Sequence, residues 1–78
     1  MNLVKYNAAF IDTFDLLESD LNDKLTYQSI VSWDSVGHMS LIAALEETFD
    51  IMMETDDIID LSSYEKGKEI LNKYGIIT

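Results

Sequence analysis

The spacing of apolar residues along the first segment of the chain predicts a helix. Within residues 3–18, apolar side chains recur at intervals of three and four, which places them on one face of a helix. The polar residues 19–23 interrupt this periodicity, so we expect the helix to end before them. Its predicted buried stripe consists of Leu3, Tyr6, Phe10, Phe14 and Leu17.

Residues 19–33 form a long connection that is too apolar for a solvated linker. We expect this connection to lie across the core with its apolar side chains turned inward. Loops of this length are uncommon in compact domains and are often functional. The side chains expected to face inward are Leu21, Leu25, Tyr27, Ile30, Val31 and Trp33.

A second helix is predicted to start at Asp34, because Asp is a favoured N-cap whose carboxylate accepts a first-turn N–H. Trp33 and His38 then occupy the two positions that commonly pack together at a helix start. Gly37 in the first turn is expected to leave the backbone beside Ser35 uncovered. The predicted buried face is His38, Leu41, Ile42, Leu45 and Phe49, and the opposite face is Val36, Met39, Ala43, Glu46, Glu47 and Asp50.

Two further helices are predicted in the C-terminal third. Thr55 is the expected cap of a short helix that buries Ile58, Ile59 and Leu61, and Ser62 with Glu65 matches a capping box. The last helix is expected to run to about Tyr74, with Gly75 as its C-cap. Its predicted buried residues are Tyr64, Ile70, Leu71 and Tyr74. The fold class is therefore all-α: residues 1–78 form a single domain, an antiparallel four-helix bundle with three main helices, one short helix and a long first loop.

Composition narrows the classes of function. The chain has 78 residues, a net charge of −10 and no cysteine, which excludes disulfides and thiolate metal sites. It contains lysines but no arginine, so nucleic acid and anionic membrane surfaces are unexpected partners. No apolar run approaches the ~20 residues needed to span a bilayer, and the N-terminus has no signal-peptide pattern, so we interpret the sequence as mature. A fold without cysteine suits a reducing compartment, so we expect the protein in the cytoplasm.

Ser35 is the strongest candidate for chemistry. It stands at the predicted start of the second helix, where unpaired N–H groups and the positive end of the helix dipole favour a phosphate. The helix that follows is acidic. A hydroxyl in this position on an acidic helix indicates a carrier handled by basic partner proteins.

The motif around Ser35 resembles that of the acyl carrier protein family. Asp34-Ser35-Val36 is followed by Leu-Ile-Ala-Ala-Leu-Glu-Glu-Thr-Phe-Asp-Ile at 41–51, which is similar to the family's Asp-Ser-Leu and Leu-Glu-Glu-x-Phe-Asp-Ile. The similarity extends over nearly the whole chain, including the helix spacing and the long first loop.

The resemblance implies a function for Ser35. A phosphopantetheinyl transferase would attach 4′-phosphopantetheine from coenzyme A to Ser35, with Asp34 and Val36 beside it at the cofactor-binding site. The cofactor's thiol would carry acyl intermediates as thioesters, so the chain itself is not expected to be an enzyme. The chain has no cysteine, which agrees with a thiol supplied by the cofactor.

The resemblance also implies partners. The second helix would dock transiently on basic patches of acyl- or aminoacyl-loading and acyl-transfer enzymes. The residues expected to form this docking face are Val36, Met39, Ala43, Glu46 and Glu47. We expect the carrier to act as a monomer.

Departures from the common fatty-acid pattern leave the pathway open. Val36 stands where Leu is usual, and Gly37 and Ser40 stand where acidic residues are frequent. Together with Trp33 and His38, they make the chain look more like stand-alone carriers of specialised lipid or polyketide pathways. Alternatives are a peptidyl or aminoacyl carrier fed by an adenylating enzyme and, in another class, an unmodified acidic helical adaptor.

An inner acyl pocket would be lined by Leu41, Ile42, Leu45 and Ile59.

Two other groups of residues are candidates for a functional site. Asp34, Ser35 and His38 could suggest a hydrolase triad, which would need a separately oriented base and an oxyanion hole. The sequence has no Gly-x-Ser-x-Gly elbow, and a helical domain of 78 residues offers little pocket. We expect His38 instead to pack against Trp33 and so fix the angle at which Ser35 is displayed.

The other candidate is a group of acidic residues, Glu54, Asp56, Asp57 and Asp60. This group lacks the ligand spacing of a calcium loop, so no metal site is expected.

Overall fold

The computed structural model describes residues 1–76, and these form four α-helices around one apolar core. The helices are α1 (Asn2–Phe14), α2 (Ser35–Phe49), α3 (Thr55–Asp60) and α4 (Tyr64–Lys73), with a 3₁₀ turn at Glu18–Asp20. Residues 1–76 contain no β-strand, only an isolated bridge between Thr26 and Ser63. The predicted all-α class, with three main helices and one short one, is confirmed.

The first helix ends earlier than its apolar periodicity predicts. Asp15 adopts the left-handed conformation (φ 56°), and the Leu16 N–H bonds back to the Ile11 carbonyl at 3.2 Å. Asp tolerates this conformation better than most residues, so the helix stops without a glycine. Leu17 therefore lies outside α1 and is 71% exposed. Leu3, at the start of the helix, is 37% exposed, so the predicted places of both residues in the buried stripe were wrong.

The second helix ends in the same way. Asp50 has φ 53°, and the Ile51 N–H bonds to the Glu46 carbonyl at 3.1 Å. In both helices a Phe-Asp pair is followed by Leu or Ile, and that third residue is partly buried against the core. The sequence Phe-Asp-(Leu/Ile) is thus a repeated stop signal in this chain.

The connection between α1 and α2 lies across the core, as predicted for most of its apolar residues. Leu25 and Trp33 are buried, and Leu21 and Ile30 are partly buried against them. Two residues are exceptions: Val31 is 96% exposed and Tyr27 is 36% exposed, so their predicted inward positions were wrong.

The same connection is held in place by backbone hydrogen bonds to a distant part of the chain. The Tyr27 N–H donates to the Ser62 carbonyl at 2.8 Å, and the Tyr64 N–H donates to the Leu25 carbonyl at 2.9 Å. A local bond from the Gln28 N–H to the Trp33 carbonyl closes the turn that leads into α2. The loop therefore links the start of α2 to the junction between α3 and α4.

The core is built on aromatic side chains. Phe10 lies at its centre and makes edge-to-face contacts with Tyr6, Phe14, Trp33 and Tyr64, with ring centroids 5.0–6.1 Å apart. Such pairs add about 1 kcal/mol each beyond the apolar area they bury. Aliphatic side chains complete the core: Leu25, Leu41, Ile42, Leu45, Met53, Leu61, Ile70 and Leu71.

The start of α4 differs from the predicted capping box by one residue. Ser63, not Ser62, is the N-cap, and its Oγ accepts the Lys66 N–H at 2.9 Å. The backbone explains the shift, because the Ser62 carbonyl is bound by Tyr27 and Ser63 faces Thr26. At the other end, Tyr74 is the C-cap residue, one position before the predicted Gly75, and Gly75 follows it in the left-handed conformation with φ 82°.

The short helix α3 turns a carboxylate inward and an isoleucine outward. It begins at Thr55, but Glu54 is its N-cap residue and no side chain caps it, so the predicted Thr55 cap was wrong. Leu61 is buried and Ile58 half-buried as expected, whereas Ile59 is 72% exposed, contrary to prediction. The buried residue of α3 is Asp57.

Asp57 joins α3 to α4 through two side chains. Its carboxylate accepts hydrogen bonds from Lys73 Nζ at 2.5 Å and from Tyr74 Oη at 2.6 Å. Tyr74 Oη in turn accepts the Glu54 N–H at 2.8 Å. The hydrogen bonds from Lys73 and Tyr74 lower the pKa of Asp57 and raise the pKa values of both donors.

Candidate functional site

Ser35 is the first residue of α2 and is exposed. The helix is capped as predicted, with Asp34 Oδ1 accepting the Gly37 N–H at 2.8 Å. The N–H groups of Ser35 and Val36 have no intrahelical acceptor, because they belong to the first turn. An exposed hydroxyl thus stands among N–H groups at the positive end of a helix of 15 residues.

Gly37 is required for close packing beneath this first turn. A Cβ on Gly37 would lie 1.9 Å from the Ser32 carbonyl oxygen and 3.2 Å from the Phe14 ring. The backbone at Gly37 is therefore covered by the connection, and the expectation that it lies open was wrong. The glycine lets the start of α2 rest directly on the loop that precedes it.

Trp33 and His38 form the contact expected at the helix start, and it includes a hydrogen bond. The two ring planes are nearly parallel, 12° apart, and the rings meet edge to edge, with Trp33 Nε1–H donating to His38 Nδ1 at 3.0 Å. The other imidazole nitrogen lies 2.8 Å from the Ile58 carbonyl oxygen on α3. Since an indole N–H can only donate and a carbonyl can only accept, His38 carries its proton on Nε2.

These hydrogen bonds argue against a hydrolase triad of Asp34, Ser35 and His38. The Nδ1 lone pair of His38 is occupied by Trp33, and Nε2 donates to Ile58, so no ring nitrogen is free to accept a proton from Ser35. The Asp34 carboxylate caps the helix instead of orienting the histidine. The three residues lie close in sequence without the hydrogen bonds that a triad needs.

The Ser35 hydroxyl instead contacts a residue of the first loop. Its Oγ lies 3.1 Å from Tyr27 Oη. The Tyr27 ring also packs edge-on against His38, with ring centroids 5.6 Å apart. The sequence pattern gave no reason to pair Tyr27 with Ser35, because the contact depends on a backbone hydrogen bond to Ser62.

A cleft of about 340 Å³ opens beside Ser35, between α2 and α3. Its walls are mostly apolar, with hydroxyls at Ser35 and Ser62. Of the residues expected to line an inner pocket, Ile59 lies on this cleft, whereas Leu41, Ile42 and Leu45 are buried in the core. The lining residues are Tyr27, Ser35, His38, Met39, Ile58, Ile59, Leu61 and Ser62.

The predicted docking face lies on the exposed side of α2. Val36 is 77% exposed and Met39 53% exposed, and Ala43 and Glu47 also face outward. Glu46 differs from them, because it is half-buried and its Oε2 accepts the Met53 N–H at 2.9 Å. Its carboxylate helps to hold the segment that follows α2.

The acidic group near α3 is divided by the fold. Asp57 is buried against Lys73 and Tyr74, whereas Glu54, Asp56 and Asp60 are exposed. Across residues 1–76, no group of three or more His, Cys, Asp or Glu side chains has a geometry that could hold a metal ion.

Among the described helices, none combines the length and apolar character that crossing a bilayer requires. Comparisons with protein-family models, curated proteins and solved structures find no match to this chain. We therefore infer its function from its residues, its geometry and the resemblance of its motif.

Proposed function

We propose that this chain is an acyl carrier protein whose Ser35 is the attachment point for 4′-phosphopantetheine. The observation that carries the proposal is the exposed Ser35 hydroxyl at the first position of a long, Asp-capped helix, beside the mouth of an apolar cleft. Phosphate is favoured at such a helix start, and an apolar cleft suits a fatty or other hydrophobic cargo.

The residues around Ser35 suit an attached 4′-phosphopantetheine group. The N–H groups of Ser35 and Val36 are available to a phosphodiester, while the Asp34 carboxylate is engaged by Gly37. The chain has no cysteine, so a thiol for acyl transfer must come from a cofactor. When bound, phosphopantetheine supplies that thiol and carries acyl groups as thioesters.

The attachment reaction is a phosphoryl transfer to the serine. The bond from Ser35 Oγ to the phosphorus that bears the pantetheine arm forms, and the phosphoanhydride bond of coenzyme A breaks. Adenosine 3′,5′-bisphosphate leaves, and the serine proton passes to a base on the transferase. His38 is not that base, because both of its ring nitrogens are engaged.

The docking face suits transient association with basic enzymes. Val36 and Met39 offer a small exposed apolar surface next to Ser35, and Glu47 adds charge further along α2. The net charge of −10 with no arginine favours partners that carry Lys and Arg patches. These partners are the transferase and the enzymes that load and use the acyl group, in a fatty-acid or a specialised pathway.

Intact-mass spectrometry tests the proposal. The chain is incubated with coenzyme A, Mg²⁺ and a transferase of broad specificity, and the expected result is a gain of one phosphopantetheine group. Ser35→Ala should abolish the gain, and Ser40→Ala, which changes another exposed serine of α2, should not. If several transferases add no mass, the chain is not a carrier and the acidic adaptor becomes the better account.

Loading assays then separate the two kinds of carrier. Transfer of an acyl group from acyl donors supports the acyl carrier, whereas loading only by an adenylating enzyme with an amino acid supports the aminoacyl alternative. The mostly apolar cleft favours the acyl cargo.

A further inference from the structure

Tyr27 crosses the mouth of the cleft from one side to the other. Its backbone N–H is anchored to the Ser62 carbonyl at the α3–α4 junction, at 2.8 Å. Its hydroxyl reaches Ser35 Oγ at the start of α2, at 3.1 Å. The side chain therefore joins the two walls between which the cleft opens.

The position of the Tyr27 ring is determined by its neighbours. The ring packs edge-on against Trp33 and His38, with centroids 6.4 and 5.6 Å away, and these two rings are hydrogen-bonded to each other. The preceding residue, Thr26, forms a bridge with Ser63 on the other side. Because the backbone and the ring are both held, the hydroxyl is presented to Ser35 in a defined direction.

The Ser35 hydroxyl needs a hydrogen-bond partner to fix its direction, because the side chain is exposed at the start of α2. An exposed serine side chain exchanges among three staggered rotamers, and only some of them direct Oγ toward an incoming phosphorus atom. Asp34 and His38, two polar residues close to it in sequence, are hydrogen-bonded to other groups and do not hold Oγ. A tyrosine hydroxyl can donate as well as accept, so it can bond either the free serine or the ester oxygen that replaces it.

We propose that Tyr27 is a positioning residue for the modification of Ser35, holding Oγ in the rotamer from which it attacks coenzyme A. This inference rests on the proposed function, because it concerns the transfer reaction at the same serine. Tyr27 does not take up the serine proton, which goes to the transferase. Its effect is on the orientation of the acceptor oxygen, so it should be seen in kcat more than in KM.

The test compares two variants that each remove one phenol hydroxyl. Tyr27→Phe keeps the ring contacts and loses only the bond to Ser35. Tyr64→Phe is the matched control, because its hydroxyl donates to Asn7 on α1 instead. For both variants, kcat and KM of phosphopantetheine transfer, the midpoint of thermal unfolding and the Ser35 rotamer populations from NMR couplings are measured.

We expect Tyr27→Phe to lower kcat about two- to tenfold, the effect of one hydrogen bond, with KM little changed. Its unfolding midpoint should stay near that of the wild type, and Ser35 should change from one dominant rotamer to a mixture. Tyr64→Phe should lower the unfolding midpoint and leave kcat as it was.

The contradicting results separate this inference from the proposed function. If the wild-type chain is modified and Tyr27→Phe is modified with the same kcat, the positioning role is wrong and the carrier proposal stands. An equal mixture of Ser35 rotamers in both proteins would also overturn it. If no transferase modifies the wild type, the carrier proposal falls, and the role of Tyr27 in that reaction falls with it.

Discussion

The contact between α1 and α4 and the contact between α2 and α3 are built in opposite ways. At the first, a Cβ on Gly67 would lie only 2.1 Å from Tyr6 Oη, which itself donates to the Tyr64 carbonyl. At the second, an apolar cleft of about 340 Å³ remains, and the His38 ring bridges the helices through the Ile58 carbonyl.

The difference indicates where the chain derives its stability and where it keeps room for function. Burial raises the pKa of Tyr6 far above its usual value, so its hydroxyl stays neutral and hydrogen-bonded in a closed interface. The side of the molecule that carries Ser35 leaves Met39 and Ile59 exposed around an opening. Substitutions at the first contact should change stability alone, and those at the second should also change the modification of Ser35.

The largest effect is expected from Gly67→Ala at the closed contact. The added methyl group meets the Tyr6 hydroxyl and Leu61 Cδ1, and both of these side chains are buried, so we expect the free energy of unfolding to fall by about 3 kcal/mol. Chemical denaturation measures this loss. The kcat for phosphopantetheine transfer, measured well below the unfolding midpoint, should not change.

A double-mutant cycle shows whether the clash with Tyr6 is the cause. Tyr6→Phe removes the hydroxyl that the methyl group would meet, so the double variant should lose about 1 kcal/mol less than the sum of the single losses. If the losses simply add, or if Gly67→Ala costs under about 0.5 kcal/mol, the description of this contact as closed is wrong.

The second prediction concerns the bridge at the open contact. His38→Ala leaves the indole N–H of Trp33 without its acceptor in a fully buried position, and we expect a loss of about 2 kcal/mol. The Trp33–His38 pair also supports the start of α2, so kcat for modification of Ser35 should fall as well. Denaturation and transfer kinetics measure the two effects.

Two conservative variants separate the two hydrogen bonds of His38. His38→Asn can place an acceptor near Trp33 Nε1, and His38→Gln can place a donor near the Ile58 carbonyl. Because Trp33 is the more deeply buried partner, Asn should retain more stability than Gln. Unchanged stability and unchanged modification in His38→Ala would refute the idea that this residue fixes the display of Ser35.

How far the sequence predicts these features depends on whether their causes are local. The cap at Asp34 and the pairing of Trp33 with His38 follow from residues a few positions apart, and both were predicted. The end of α1 was missed because Asp15 adopts a left-handed conformation, and no glycine or proline marks this position in the sequence.

The contact between Tyr27 and Ser35 was missed for a different reason. It depends on the bridge between Thr26 and Ser63, which joins parts of the chain far apart in sequence. No periodicity of apolar residues encodes such a bond. The same holds for the inward position of Asp57, whose partners Lys73 and Tyr74 lie on another helix.

The smallest expected effect concerns Asp57, which attaches α3 to α4 away from the cleft. Its folded pKa is lowered by hydrogen bonds from Lys73 and Tyr74, so its contribution to stability is complete above the unfolded value, about 3.9. The contribution is lost as the pH falls through the lower folded pKa. The Lys73 side chain is 63% exposed, which limits the ion pair through solvent screening.

Asp57→Asn isolates this contribution. At neutral pH the variant should be modestly less stable than the wild type, and the difference should shrink as the pH falls below the usual range of a carboxyl group. Asp56→Asn, at the exposed neighbour, should show no such convergence. A difference that stays constant down to low pH would mean that the carboxylate does not stabilise the fold through its charge.

The mass of the intact chain after incubation with coenzyme A, Mg²⁺ and a transferase, followed by fragmentation to locate the addition, tests the central claim most directly. The account predicts one phosphopantetheine group, located on Ser35. No added mass with any of several transferases, or an addition on a serine other than Ser35, would contradict it.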